Sequence, residues 1–467
     1  MSRDWVVDGS FRDPAGRVHE HEGRIFRTVT KSGAPDFLAV RDSGFLDRLV
    51  EENRLIPFYE VTDPNVTALF PRAEHVLEHP RLDIISYPYE WSFGQLRDAA
   101  LFHLEVALDA LEAGLTLSDA TAYNVQFVGH QPVFIDHLSF RMYREGEFWL
   151  AHRQFCEQFL NPLLLRSKLG IPHNAWYRGG LEGIPTEHMV KSLPLSSRLS
   201  LRMNAHVILP ARFQRGIHSD ALRQIEKKTG TKQLPKRGYE GLLRQLHSWI
   251  KAMRPKGANP SVWATYADNN TYSGQETEQK RAIVSEFSTA NTPRVILDLG
   301  CNSGFFSETA LIGGASSAVG FDFDQDSLDS AYRRAVEKSL PFLPLFLDAA
   351  NPSPTQGWAQ SERTGFDTRA RGDAVMALAF IHHLVVAKNV PLGQALKWLV
   401  SRAPVGLIEF VPKSDPTVQS MLRLREDIFD DYSKEAFEAE LSRCAKIVKS
   451  TTVSESGRSI YEFERRS

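Results

Sequence analysis

Through the last two hundred residues, short apolar runs alternate with amphipathic stretches in a regular order. Val295–Leu299, Ala318–Phe323, Pro341–Leu347, Asp373–Phe380 and Val405–Phe410 are four- to eight-residue runs rich in branched and aromatic side chains, which reads as buried parallel strands. Between them, residues 305–312, 326–336 and 391–398 carry apolar positions at helical spacing. The helix over 326–336 has acids in its first turn and arginines later, as its dipole favours. Ser433 is placed to cap a helix over 434–444, and Ala445–Thr452 with Ser459–Phe463 reads as an antiparallel hairpin around Gly457. Strands alternating with helices predict an α/β fold with a mainly parallel sheet. The first 180 residues follow another pattern: candidate strands at Phe26–Val29 and Phe37–Val40, a long helix over 93–114, and strands over 118–127 and 132–136. That mixture predicts an α+β unit.

The turn after the first of the five strands carries the chemistry. Asp298-Leu-Gly-Cys-Asn-Ser-Gly304 leads from strand to helix, with glycines that let backbone approach a ligand closely. About 20 residues on, Asp322 ends the second strand, where an acid holds ribose hydroxyls in nucleotide sites. The D-x-G-x-N-x-G pattern differs from the G-x-G-x-x-G of NAD sites. It resembles the first motif of class I S-adenosylmethionine-dependent methyltransferases, D-x-G-x-G-x-G, with Asn302 in place of the middle glycine. Asn is the non-glycine residue best suited to positive φ.

That resemblance implies a Rossmann-like, seven-stranded methyltransferase sheet over residues 257–467 with S-adenosylmethionine as cofactor. It implies that Asp298, Gly300, Asn302 and Gly304 face the methionine part, that Asp322 takes the ribose, and that Asp348 with the Ala349 N–H reads the adenine edge. Residues 255–272, with Trp263, Tyr266 and Tyr272, and a helix over 273–287 are then expected to cover the pocket. On the acceptor side the candidates are His382 and His383, past the fourth strand, and Glu409, ending the fifth. Side chains alternate faces in extended chain, so one histidine should face the cleft, and His383 is favoured as the base because it lies further beyond the strand. No N/D-P-P-Y-like motif for methylating base amino groups is present.

In the amino-terminal part, Asp119-x4-Asn124 followed by Asp136 resembles the catalytic core of protein-kinase-like phosphotransferases. The chain departs from that pattern in having no Gly-rich loop, no strand lysine of the V-A-I-K type, and His137-Leu138 after the last Asp. A degenerate kinase-like domain without phosphotransfer is one expectation; a turn in which Asp119 and Asn124 cap backbone groups is the other. Tyr87–Phe93 together with Pro132–Phe140 resembles a bacterial group of two-part methyltransferase-like proteins that includes a rhizobial host-specific nodulation protein.

Composition sets the frame. A chain of 467 residues exceeds one ordinary core, and 42% apolar with 24% charged residues is a globular balance. The expected organisation is an amino-terminal domain over 1–180, a basic helical connector over 181–256 and the methyltransferase domain over 257–467. The net charge is −2, yet residues 198–256 hold fourteen Lys or Arg against three acids. Such a block suits RNA or an anionic substrate, or it is a solvated helical face. Three dispersed cysteines, Cys156, Cys301 and Cys444, give no metal-site spacing. No apolar run is long enough to span a bilayer and no secretory signal precedes the first domain, so a cytoplasmic protein is expected.

The favoured reading is methyl transfer to an oxygen or nitrogen of a small-molecule, glycan or lipid-linked acceptor, in nodulation-factor or other secondary biosynthesis. Two others fit the residues: a non-catalytic cofactor-binding scaffold, and an RNA methyltransferase that uses residues 198–256.

Overall fold

The computed structural model describes residues 5–210, 233–257, 274–423 and 426–466. In the carboxyl-terminal half, parallel strands β9 (Val295–Leu299), β10 (Ser317–Asp322), β11 (Phe342–Phe346), β12 (Ala374–Ala377) and β13 (Val405–Phe410) join an antiparallel pair, β14 (Ala445–Thr452) and β15 (Ser459–Arg465). Their order across the sheet is β11-β10-β9-β12-β13-β15-β14. Neighbouring residues of each strand serve opposite faces. Ile296, Ala318, Met376 and Leu407 pack on one side with Val284 and Phe287, whereas Leu297, Val319, Val375 and Ile408 pack on the other. Both faces are therefore dry, which is why these strands read as unbroken apolar runs.

The remaining strands, β1 to β8, lie in the amino-terminal half. One antiparallel sheet has the order β1 (Gly16–His21), β2 (Arg24–Val29), β4 (His75–His79), β3 (Tyr59–Glu60). Two small ladders pair β5 (Leu115–Leu117) with β8 (Phe140–Met142), and β6 (Val125–Val128) with β7 (Gln131–Phe134). The helices used below are α1 (Ala34–Asp42), α2 (Phe45–Glu51), α3 (Phe93–Glu112), α4 (Lys236–Lys251), α5 (Gly274–Asn291), α6 (Phe305–Ile312), α7 (Gln325–Glu337), α8 (Leu392–Val400) and α9 (Lys434–Cys444); other helical segments, among them an unbroken α and π stretch from His152 to Leu169, lie between them. Ser92 and Gln95 form a capping box that opens α3, and Ser433 accepts from the Ala436 N–H to open α9 as its sequence predicts.

Several expectations are corrected. Phe37–Val40 lies in α1, because Ala34, Phe37 and Val40 are buried at three-residue spacing, a helical and not a strand period. Residues 118–124 form no strand; Asp119 accepts the Thr121 N–H at 3.0 Å and folds the chain into a turn. The helix expected over 273–287 runs on to Asn291. Helix α4 packs along α3, and the Tyr239 hydroxyl sits 2.9 Å from that of Thr116, so the expected connector is bound into the amino-terminal half where it is described. Residues 211–232 of the basic block, and Trp263, Tyr266 and Tyr272, lie outside the described residues.

The halves share one apolar cluster, which runs from Trp91, Leu96 and Phe127 to Leu297, Leu345 and Phe463. Tyr332 of α7 meets Phe127 edge-on at 6.1 Å and hydrogen-bonds Asp98. Arg166 pairs with Asp326 at 2.7 Å, the Gly94 N–H donates to Asp329, and Arg369 forms a buried pair with Glu90. Among the described residues no helix is long and apolar enough to cross a membrane.

Candidate functional site at the carboxyl edge of the sheet

The chain runs outward from β9 through β10 to β11, then returns to the other side of β9 for β12 and β13. The carboxyl ends of β9 and β12 therefore flank a point where the connections diverge, and such a point leaves a crevice open to ligands. Gly300 and Gly304, both in the turn after β9, have φ of 83° and 76°. Asn302 between them has φ of 48°, so the residue that departs from the glycine motif does adopt the left-handed conformation.

Asp322 ends β10 and binds this turn. Its Oδ2 accepts the Asn302 N–H at 2.8 Å and its Oδ1 the Asp324 N–H at 2.9 Å. Burial raises the Asp322 pKa, and these N–H groups oppose that shift. A carboxylate offers about four acceptor positions, so the backbone N–H groups leave room for a hydroxyl donor. Asp298 is buried within β9, between Gly320 and Met376 of the flanking strands, and accepts from the Ser307 hydroxyl at 2.6 Å. Burial pushes its carboxyl up to about 7 even though that hydrogen bond pulls the other way. Asp348 follows β11 and turns the chain by accepting the Ala350 N–H at 3.1 Å, with Ala349 half-buried between them. The three acids and the glycine turn thus stand at the carboxyl ends of adjacent strands. A polar ligand with hydroxyl donors suits the open acceptor positions of Asp322 beside the glycine turn.

The acceptor side differs from expectation. His382 and His383 are not at a strand end: they lie in the helical turn that follows β12, with ring centroids 4.3 Å apart. Burial still divides them. His382 is 1% exposed with neither ring nitrogen hydrogen-bonded, and burial followed by the His383 charge pulls its pKa down to about 3. His383 is exposed, and desolvation lowers its pKa as well. Helical geometry, and not strand alternation, sends one inward and one outward.

Glu409 is corrected as a candidate base. It is completely buried, and both carboxylate oxygens accept from Lys280 Nζ, at 2.7 and 2.8 Å. Such a paired, desolvated carboxylate is not free to take a substrate proton. Sequence reasoning missed Lys280, although it shares the inward face of α5 with Val284, Phe287 and Ser288 at helical spacing. A lysine on an apolar helical face is a readable signal of a buried acid opposite. It also missed Phe380, whose ring lies against Gly300 so closely that a Cβ there would sit 2.9 Å from Cδ2.

In the amino-terminal half, Asp119, Asn124 and Asp136 do come together. Asn124 donates to Asp119 at 3.2 Å and to Asp136 at 3.4 Å. Asp136 is also paired with Arg27 of β2 at 2.8 Å.

No protein-family model matches the chain. The nodulation protein NoeA of Rhizobium meliloti (strain 1021) is 49% identical over 463 residues, which cover 98% of this chain and 96% of that protein. Among solved structures, the N-methyltransferase NodS of Bradyrhizobium japonicum WM9, in complex with S-adenosyl-L-homocysteine, matches with a TM-score of 0.32 and 12% identity over 45% of this chain and 94% of its own. Magnesium protoporphyrin IX methyltransferase of Synechocystis PCC 6803 matches at 0.32 and 18% over 44% and 96%. WbdD matches at 0.31 and 18%, over 44% of this chain and 43% of WbdD.

Proposed function

The chain belongs to the family of the nodulation protein NoeA, and we propose that it is an S-adenosylmethionine-dependent methyltransferase. The observation that carries the reading is the bond from the Asn302 N–H to Asp322, which joins the glycine turn and the acid of the second strand into one site at the switch point of the sheet. The order of the seven strands supports reading this half as the Rossmann-like methyltransferase sheet expected over 257–467.

When bound, the cofactor supplies an activated methyl on a sulfonium. The protein's part is to bind and orient. In this reading Asp322 accepts from the ribose hydroxyls, the turn from Gly300 to Gly304 and Asp298 face the methionine part, and Asp348 with the Ala349 N–H meets the adenine edge. Holding an acceptor in line contributes about 7–11 kcal/mol to lowering the barrier for well-oriented groups. His383, exposed beside the crevice, takes the acceptor proton, and His382 packs behind it. Membership in a nodulation-protein family supports a small-molecule, glycan or lipid-linked acceptor with an oxygen or nitrogen nucleophile.

Calorimetry with S-adenosylhomocysteine tests the site. Asp322→Ala is expected to weaken binding by about 1.5–3 kcal/mol, the cost of losing charged hydrogen bonds, and an unchanged affinity would overturn the assignment. With a labelled cofactor and glycan or lipid-linked acceptors, His383→Ala is expected to lower turnover at unchanged cofactor affinity. Tight binding with no turnover on any acceptor would favour a non-catalytic scaffold.

A further inference from the structure

We propose that Glu409 is a positioning residue for the cofactor site and acts through the backbone of Ala379. The inference rests on reading that site as one for S-adenosylmethionine. Strand β12 ends at Ala377, and two residues later Ala379 stands at φ 49°, a left-handed conformation that an alanine resists because of its Cβ. Its N–H donates to Glu409 Oε2 at 2.9 Å. The strained turn carries Phe380 onto Gly300, the first glycine of the cofactor turn, and the His383 N–H then closes it by donating to the Phe380 carbonyl at 3.0 Å. The conformation of one backbone residue thus sets how the two turns that flank the switch point meet.

Glu409 is itself held rigidly. Lys280 of α5 grips both its oxygens, and Arg458 approaches Oε1 at 3.6 Å while binding Asp415 at 2.6 and 2.8 Å. The four charges alternate in sign and all are buried. Buried ion pairs are a weak source of stability, since apolar residues of equal size often serve as well. What an apolar replacement cannot supply is an acceptor for the Ala379 N–H. Strain at a site is maintained only where its surroundings over-determine it, and the clamped carboxylate does this for Ala379.

The test compares two charge-neutral double variants of the full chain, each monitored for melting temperature and for S-adenosylhomocysteine affinity. K280M/E409Q retains an acceptor for the Ala379 N–H; K280M/E409M has the same shape without one. The first is expected to bind within about threefold of wild type and the second at least about tenfold more weakly, the scale of one hydrogen bond. Adding A379G to K280M/E409M should recover most of the loss, because glycine takes positive φ without a Cβ penalty. Equal affinity of the two double variants, or a loss that A379G does not recover, would overturn the proposal. A purely structural role would lower the melting temperatures without this pattern. If K280M/E409M does not fold, amide exchange decides: Ala379 must be protected in the ligand-free wild type, and a freely exchanging amide there overturns the role. Failure of the wild type to bind S-adenosylhomocysteine would overturn the methyltransferase reading, and the exchange measurement would still judge Glu409.

Discussion

Asp298 is buried between two strands and accepts a hydrogen bond from the Ser307 hydroxyl. Burial pushes its carboxyl up to about 7 from an ordinary value of 3.8, so between those two pH values the folded chain holds a proton that the unfolded chain has released. Stability from this group is complete below about pH 4 and is lost as pH rises through 7, by as much as about 4 kcal/mol. Asp298→Asn removes the titration, and its melting temperature should change less between pH 5 and pH 8 than that of the wild type. Parallel melting profiles for the two would show that Asp298 is ionised throughout. The positive φ of Asn302 was legible, because it follows from backbone tolerance alone. The complete burial of Glu409 against Lys280 was not, since its partner comes from a distant segment.

At the scale of elements, period and caps were sufficient wherever an element is held by its own local sequence. The Ser433 cap, the 305–312 helix and the 445–452 strand all stand where pattern placed them. Pattern failed at 37–40, where the helical period shows only when Ala34 is counted with Phe37 and Val40, and at 118–124, where the Asp119 side chain folds the chain into a turn. The Asp119, Asn124, Asp136 constellation belongs to this scale. Its spacing brings the three side chains together, and β2 then adds Arg27, which neutralises Asp136. With a guanidinium already on that carboxylate, and no covering loop or strand lysine of the kinase pattern, magnesium-dependent ATP binding is expected to be absent. Calorimetry that detects Mg-ATP binding abolished by Asp136→Asn would disprove this.

For the whole molecule, the shared apolar cluster and the buried Arg369–Glu90 pair couple the two halves. A single cooperative unfolding transition is therefore expected despite the chain's length. Arg369→Ala strands Glu90 without its partner and should lower stability by about 3–5 kcal/mol in that same transition. Two separable calorimetric transitions, with only one shifted by the variant, would show that the halves unfold independently. The amino-acid sequence by itself determined the strand and helix order of residues 295–465 and the left-handed glycine turn after β9, because these follow from local period and backbone tolerance. Only the tertiary structure decided that the basic connector's helix lies on α3, that Lys280 and Arg458 enclose Glu409, and that Arg27 sits on Asp136. Each of these depends on charges and surfaces separated by tens to hundreds of residues, and their energies exist only once the fold removes water from between them.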